Sequence, residues 1–152
     1  MRGFLGFALV AAVMASATGP AMALSVSDCD GFAASAQALV EPWEQNTRTF
    51  YKGQVRIAYI DTVEPACCSS QLLVLIPNKN SEMGERLCQL VSDHGNQGFA
   101  GIDFAKITTS YDANKGLLVS FPYGQMKEDG SGTVQQVGHI RINLATVTVR
   151  PE

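Results

Sequence analysis

The chain lacks the residue clusters on which most catalytic and nucleic-acid chemistry depends. It contains no C-x-x-C pair, so the sequence indicates neither a thioredoxin-like redox motif nor a zinc ribbon. Lys and Arg are scattered along the chain, and the formal net charge is −3. Affinity for nucleic acid comes largely from clustered cations that face phosphates, so this scatter argues against a nucleic-acid partner. It argues equally against attachment to an anionic membrane surface.

Long apolar runs are also scarce, and the longest one lies at the amino terminus. Residues 4–15 are apolar after a single cation. This run is too short for a hydrocarbon core of ~30 Å, which a helix crosses with about 20 residues. Ala-Met-Ala at 21–23 matches the cleavage site of a secretory signal peptide. We therefore predict that residues 1–23 are a signal peptide and that residues 24–152 form a single β-rich domain with no membrane insertion after cleavage.

The cysteines indicate the compartment. All four, Cys29, Cys67, Cys68 and Cys88, follow the predicted cleavage site. An even number in an exported chain indicates disulfides before metal ligands, and three pairings are possible. Adjacent Cα atoms lie ~3.8 Å apart, below the ~4.4–6.8 Å usual for a disulfide. A bond between Cys67 and Cys68 would therefore be strained and easily reduced.

The first mature segment has the pattern of a helix. Ser27 and Asp30 have the spacing of a capping box, in which side chains satisfy free backbone N–H groups. Pro42 would end the helix, because the residue before a proline disfavours the α conformation. Between them a stripe of apolar residues recurs at helical spacing, namely Cys29, Phe32, Ala33, Ala36 and Val40.

After residue 45 the patterns are those of strands. Residues 71–76 are apolar at every position except the first, which is typical of a central strand with both faces covered. Residues 139–143 alternate between polar and apolar, and residues 126–132 read as a polar loop. We predict an α+β fold in which the N-terminal helix packs on a predominantly antiparallel, disulfide-stabilised sheet of hairpins. The predicted strands are 49–51, 54–61, 71–76, 86–91, 99–109, 117–121, 139–143 and 147–149.

This layout favours a disulfide between Cys29 and Cys88. A cysteine on the buried stripe of the helix meets one in a strand when the helix packs across the sheet. The bond would close a loop of about 60 residues and stabilise the fold by roughly 2–4 kcal/mol. Cys67 and Cys68 would then be a vicinal disulfide or free thiols. The two pairings in which each of them joins Cys29 or Cys88 stay open.

Four stretches of the mature chain resemble a group of small exported proteins of alphaproteobacteria. The group has no known activity, so the resemblance implies a periplasmic location in a Gram-negative bacterium and transfers no catalytic residue. The stretches are residues 41–50, 61–65, 98–104 and 110–112.

Cys67 and Cys68 are the candidates for chemistry. With His94 or His139 they could form a soft-metal site or a Cys–His nucleophile pair. No pattern in the sequence places either histidine beside them, and an oxidising compartment caps exposed thiols. We therefore predict no cofactor and no metal, and we keep a small thiol- or metal-dependent enzyme as the alternative function.

The leading hypothesis is a non-catalytic periplasmic binding or accessory module. Its partner would be a periplasmic protein or a small ligand, and inhibition of an envelope enzyme is one form of such a role. Trp43, Phe50 and Tyr51 cluster at the exit of the predicted helix and in the first hairpin. They are the candidate recognition patch, because exposed aromatic patches often mark binding surfaces.

Overall fold

A computed structural model describes residues 24–152, so the predicted signal peptide lies outside the described residues. Nine strands make up about half of the described chain, and its α-helix, α1 (Trp43–Asn46), has only 4 residues. The strands are β1 (Ser25–Asp28), β2 (Thr47–Phe50), β3 (Val55–Asp61), β4 (Ser70–Pro77), β5 (Arg86–Ser92), β6 (Thr108–Asp112), β7 (Gly116–Met126), β8 (Thr133–Asn143) and β9 (Thr148–Pro151). Short 3-10 turns lie at Phe32–Ala34, Ala36–Ala38, His94–Asn96 and Phe104–Lys106.

The strands form two antiparallel sheets. Sheet A has the order β1-β5-β4-β3-β2, and sheet B has the order β6-β7-β8-β9. Sheet A is thus a meander to which the first strand returns beside β5, with Val26 opposite Val91. Sheet B is a simple meander in which β7 and β8 pair over their full length.

Alternating side chains of the two sheets form one core between them. From β4, Leu72, Val74 and Ile76 point to this core, and from β7 so do Val119 and Phe121. Successive residues of a strand point to opposite faces, so each sheet contributes every second residue. Two sheets packed face to face through such residues make an antiparallel β-sandwich.

A second, smaller cluster lies on the outer face of sheet A. Most residues of β3 and β4 that point away from sheet B are also apolar, and the chain before β2 covers them. Leu39 forms a bridge to Ile60, and the Val40 N–H donates to the Tyr59 carbonyl at 3.0 Å. The members of this cluster are Ala38, Ala58, Ile60, Leu73 and Leu90, with Cys29, Ala33, Ala34, Leu39, Leu75 and Cys88 partly buried against it.

The predicted N-terminal helix is wrong, and with it the α+β fold class. Ser27 belongs to β1, opposite Leu90, rather than to a helix cap. Gly31 has φ 64°, and Ser35 is extended and accepts a hydrogen bond from the Gln37 N–H, so the backbone turns twice instead of continuing a helix. Gly and Ser favour turns over helix interiors. Phe32 is exposed while Ala38 is buried, so the apolar stripe does not face the sheet as a helix would.

The strand predictions fare better. Residues 71–76 fall within β4, the middle strand of sheet A, and 139–143 with 147–149 correspond to the β8–β9 hairpin. Residues 126–132 separate β7 from β8, as expected of a polar loop. The strand predicted at 99–109 is wrong over most of its length, since β6 begins only at Thr108.

Residues 97–103 close one end of the sandwich and hydrogen-bond to both sheets. The Phe99 N–H and carbonyl pair with Ser70 of β4, at 2.7 and 3.2 Å. The next residue, Ala100, donates to the Gly124 carbonyl of β7 at 2.8 Å. The Phe99 ring is fully buried and lies 4.5 Å from that of Tyr123, between ring centroids. This segment therefore seals the end of the core near the start of β4.

Candidate functional site

The structure contains the disulfide favoured from the sequence, but in a different setting. The sulfurs of Cys29 and Cys88 are bonded at 1.99 Å, with Cα atoms 5.4 Å apart. The Cys29 N–H donates to the Cys88 carbonyl at 3.2 Å, so the two residues continue the β1–β5 ladder. The bond thus joins neighbouring strands of sheet A on the outer face of the sheet. It also anchors residues 29–40, the covering segment of this face.

The other two cysteines are bonded to each other. Cys67 and Cys68 have an S–S distance of 2.06 Å and lie half-buried in the loop between β3 and β4. A Cβ on Gly98 would lie 2.0 Å from the Cys68 carbonyl oxygen, so only glycine permits this close approach. None of the four cysteines has a free thiol in the structure. A thiol-dependent activity would therefore require reduction of this bond first.

The two histidines have other partners than these sulfurs. His94 follows the buried carboxylate Asp93, which accepts hydrogen bonds from the His94 N–H at 2.9 Å and from Gln125 Nε2 at 3.1 Å. Burial and the nearby Asp93 raise the pKa of Tyr123. Within residues 24–152, no group of three or more His, Cys, Asp or Glu has a metal-binding arrangement.

His139 pairs with a serine across two strands of sheet B. Ser120 Oγ lies 2.9 Å from His139 Nδ1, and the two residues are opposite each other in β7 and β8. A Ser–His contact of this length is the start of a nucleophile–base arrangement, which also needs a group that orients the base. No carboxylate in the described part of the chain bonds the His139 ring, and neither residue lines the groove beside Trp43 or the cavity beside Tyr51. The pair fits a cross-strand hydrogen bond.

The candidate recognition patch is divided by the fold. Trp43 is 52% exposed and lines a groove on the outer face of sheet A. Tyr51 is exposed at the opposite end of β2, where it stacks on Tyr111 with 5.8 Å between ring centroids. Phe50 lies between them and packs against the core of the sandwich. The three aromatic residues therefore do not form one surface.

The groove is more apolar than the other three cavities compared with it. Its volume is about 400 Å³, and its floor is formed by Ala58, Leu73 and Leu75 of β3 and β4. The covering segment forms one wall and α1 with β2 the other. Small-molecule sites usually occupy about 300–1,000 Å³ and are lined mainly by apolar side chains. The wall residues are Ala34, Ser35, Ala36, Leu39, Trp43, Thr47, Arg48, Thr49, Arg56 and Ile57.

Short-range hydrogen bonds position Trp43 at this groove. The Thr47 hydroxyl donates to the Trp43 carbonyl at 2.7 Å, and Asn46 Nδ2 donates to the Pro42 carbonyl at 3.2 Å. These bonds fix the junction between the single helical turn of α1 and the first residue of β2. A half-exposed indole is thus held on a rigid corner rather than on a mobile loop.

The two arginines that line the groove differ in where their charge lies. Arg48 is opposite Ile57, on the core side of sheet A. Its guanidinium donates to the carbonyls of Ala105 and Ile107, at 2.9 and 3.2 Å, and so closes the gap to the neighbouring 3-10 turn. Arg56 is opposite Thr49 and Leu75, on the outer side with the groove floor. Within residues 24–152 its guanidinium has no hydrogen bond or ion pair.

Arg56 is the groove residue that the sequence analysis missed. In β3, Val55, Ile57 and Tyr59 point to the core of the sandwich, and the alternate residues point to the outer face. Two of those alternates, Ala58 and Ile60, are apolar and buried, which leaves Arg56 as the single charge of that face. A lone cation on an otherwise apolar strand face was the available signal.

A second cavity lies at the end of the sandwich opposite residues 97–103. Its volume is about 430 Å³, so size does not separate it from the groove. Its lining consists largely of turn residues, with Lys79 and Asn114 among them. A side-chain hydrogen bond that Tyr111 shares with Tyr51 is the main reason that the pKa of Tyr111 is raised. Polar turns and a paired tyrosine make this cavity a weaker candidate than the groove for an apolar ligand.

The buried cation on the outer face of sheet B is already paired. Arg141 is buried, and its guanidinium bonds both carboxylate oxygens of Glu152, one of them at 2.6 Å, and the Gly116 carbonyl at 3.2 Å. The same contact lowers the pKa of Glu152 and raises that of Arg141. Backbone N–H groups of Lys115 and Asn114 lower the pKa of Asp112 nearby. Arg150 lies opposite Arg141 on the same face and, among the described residues, has no hydrogen bond or ion pair, but unlike Arg56 it does not line the groove.

Comparisons with protein-family models, curated proteins and solved structures find no match for this chain. The resemblance to exported proteins of alphaproteobacteria therefore stays a prediction. Within residues 24–152, the structure has no helix with the length and apolar character needed to span a membrane.

Proposed function

We propose that the chain is an exported, periplasmic binding module without catalytic activity, which holds an apolar ligand in the groove of sheet A. The observation that carries this proposal is the half-exposed Trp43 over an apolar floor of Ala58, Leu73 and Leu75. Exposed indole rings beside apolar concavities are typical of ligand sites, because the ring adds a large contact area at little entropic cost.

The two disulfides support export, because such bonds persist in oxidising compartments and are rare in the cytosol. The test is to express residues 1–152 in a Gram-negative host and to fractionate the cells. We expect periplasmic protein that begins at Leu24. An intact Met1 on cytosolic protein with four reduced cysteines would contradict export.

Groove binding is tested with N-phenyl-1-naphthylamine, an uncharged apolar dye that fluoresces when it leaves water. We expect saturable binding by the mature protein. Leu75→Gln places an amide in the groove floor and should weaken dye binding by about tenfold, since burial against a leucine is worth roughly 1.5–3 kcal/mol.

Val137→Gln is the matched control, because Val137 is an exposed apolar residue of β8, in sheet B. It should leave dye affinity unchanged. No saturable binding by the unmodified protein, or equal losses in both variants, would count against the groove as the site.

A further inference from the structure

The groove is bordered by positive charge and by no negative charge. Its lining contains two arginines and no Asp or Glu, in a chain whose formal net charge is −3. Of the two, only Arg56 directs its charge to the groove side, since the Arg48 guanidinium is bound to carbonyls on the core side. The groove lining therefore lacks acidic side chains although the protein as a whole is acidic.

A second guanidinium, outside the groove lining, bonds the backbone of one of the floor residues. Arg86 of β5 donates to the carbonyl of Leu75, at 3.2 Å, and to that of Gln54. Leu75 is also the residue directly opposite Arg56 in the neighbouring strand. Both guanidinium groups therefore border Leu75, and within the described residues neither is neutralised by a carboxylate.

Arg56 and Arg150 are the two described arginines without a hydrogen bond or ion pair, and of the two it is Arg56 that lines the groove. Arg48 and Arg86 are held by carbonyls, and Arg141 by Glu152. A guanidinium presents a planar fork of donors that matches the oxygens of a carboxylate or phosphate. An unpaired guanidinium beside an apolar floor is complementary to a molecule with an anionic end and an apolar body.

We infer that the ligand is a small amphiphile with an anionic head group, bound with its head on Arg56 and its apolar part between Trp43 and Leu75. This inference rests on the proposed function and names the ligand class for the same groove. The head-group contact supplies orientation and preference, and the apolar contact supplies most of the affinity.

Trp43 is the only tryptophan of the chain, so its emission reports on this groove alone. The mature protein is titrated with decanoate, with decanol and with decyltrimethylammonium, which share an apolar tail and differ in charge. We expect decanoate to bind at least tenfold more tightly than decanol, and the cation to bind most weakly. The preference for decanoate should shrink as salt is raised, because the Arg56 charge is exposed.

Arg56→Gln should remove the preference for decanoate and leave decanol affinity unchanged, while Arg56→Lys should keep part of it. Arg150→Gln is the matched control, because Arg150 is an exposed arginine of β9 in sheet B. It should change neither affinity. Thermal unfolding of each variant confirms that the fold is intact.

The outcomes separate the ligand class from the site itself. Equal binding of decanoate and decanol, or a decanoate preference that survives Arg56→Gln, would overturn the anionic head group while groove binding stands. If none of the three amphiphiles and no uncharged dye changes Trp43 emission, both the ligand class and the proposed function are overturned.

Discussion

The outer faces of the two sheets differ in composition and in what covers them. On sheet A the outward residues Ala58, Leu73 and Leu90 are apolar and buried, and a disulfide-anchored segment covers them. On sheet B the outward residues include His139 and Arg141, which pair with polar side chains. Sheet A is therefore the middle layer of the molecule and sheet B an outer layer.

This difference explains where the groove lies. The covering segment runs over one part of the apolar face of sheet A, and α1 with β2 flanks the other part. A gap between two covers leaves apolar floor accessible, whereas a face whose own side chains are polar needs no cover. If the outer face of sheet A contributes more to stability than that of sheet B, substitutions on sheet A should lower the free energy of unfolding more than matched substitutions on sheet B.

The largest effect is expected for Leu73→Ala. Leu73 is 9% exposed on the outer face of sheet A, and its truncation leaves a cavity beneath the covering segment. We expect a loss of about 2–5 kcal/mol in the free energy of unfolding, measured by urea denaturation. Leu118 of β7, in sheet B, is half-buried. The matched substitution Leu118→Ala should lower the free energy of unfolding by about 1 kcal/mol or less. Equal losses would show that the segment does not bury Leu73 as described.

A smaller effect is expected from removal of the bond between Cys29 and Cys88. The double variant Cys29→Ala, Cys88→Ala frees a loop with a sequence separation of 59. We expect it to lose about 2–4 kcal/mol of unfolding free energy. It should also weaken dye binding in the groove, because the wall that begins at Cys29 loses its anchor. Full stability with intact binding would show that the covering segment holds its place without the disulfide.

The smallest effect is expected on sheet B, and it depends on pH. Arg141 lowers the pKa of Glu152 in the folded protein, below the ordinary value of about 4.3. A carboxylate with a lowered folded pKa adds stability above its unfolded pKa, and that stability is lost as the pH falls through the folded pKa.

Urea midpoints at pH 7 and pH 3 measure this contribution. Glu152→Gln should lower the midpoint at pH 7 and reduce the drop between the two values. Glu128→Gln, in the exposed loop between β7 and β8, is the control and should follow the unmodified protein. An unchanged drop in Glu152→Gln would mean that the ion pair adds nothing to folding.

Period-two and all-apolar patterns predicted the strands well, and the prediction failed where a pattern admits two structures. Residues 71–76 have only one arrangement that buries both faces, so β4 follows from the sequence. The apolar residues between Cys29 and Val40 also have helical spacing, but Gly31 and Ser35 break the helix and the segment covers sheet A as extended chain and 3-10 turns.

The sandwich itself depends on contacts that no local pattern encodes. Ser25–Asp28 pairs with a strand more than 60 residues away, and the division into two sheets depends on which hairpins stack. For the site, Trp43 could be singled out because aromatic residues are conspicuous in a sequence. Arg56 is the lone cation among the alternate residues of β3, but its place beside a groove depends on the covering segment, which no local pattern predicts.

Residues 97–103 make one end of the sandwich stiffer than the other. Phe99 shares two backbone hydrogen bonds with Ser70 in sheet A, while Ala100 and Gly101 bond Gly124 in sheet B. At that end the layers cannot part unless main-chain hydrogen bonds break. At the far end of the sandwich, the two sheets contact each other through turn residues and through the stacked rings of Tyr51 and Tyr111. We therefore expect thermal motion to separate the two sheets first at the far end, with Phe99 as the pivot.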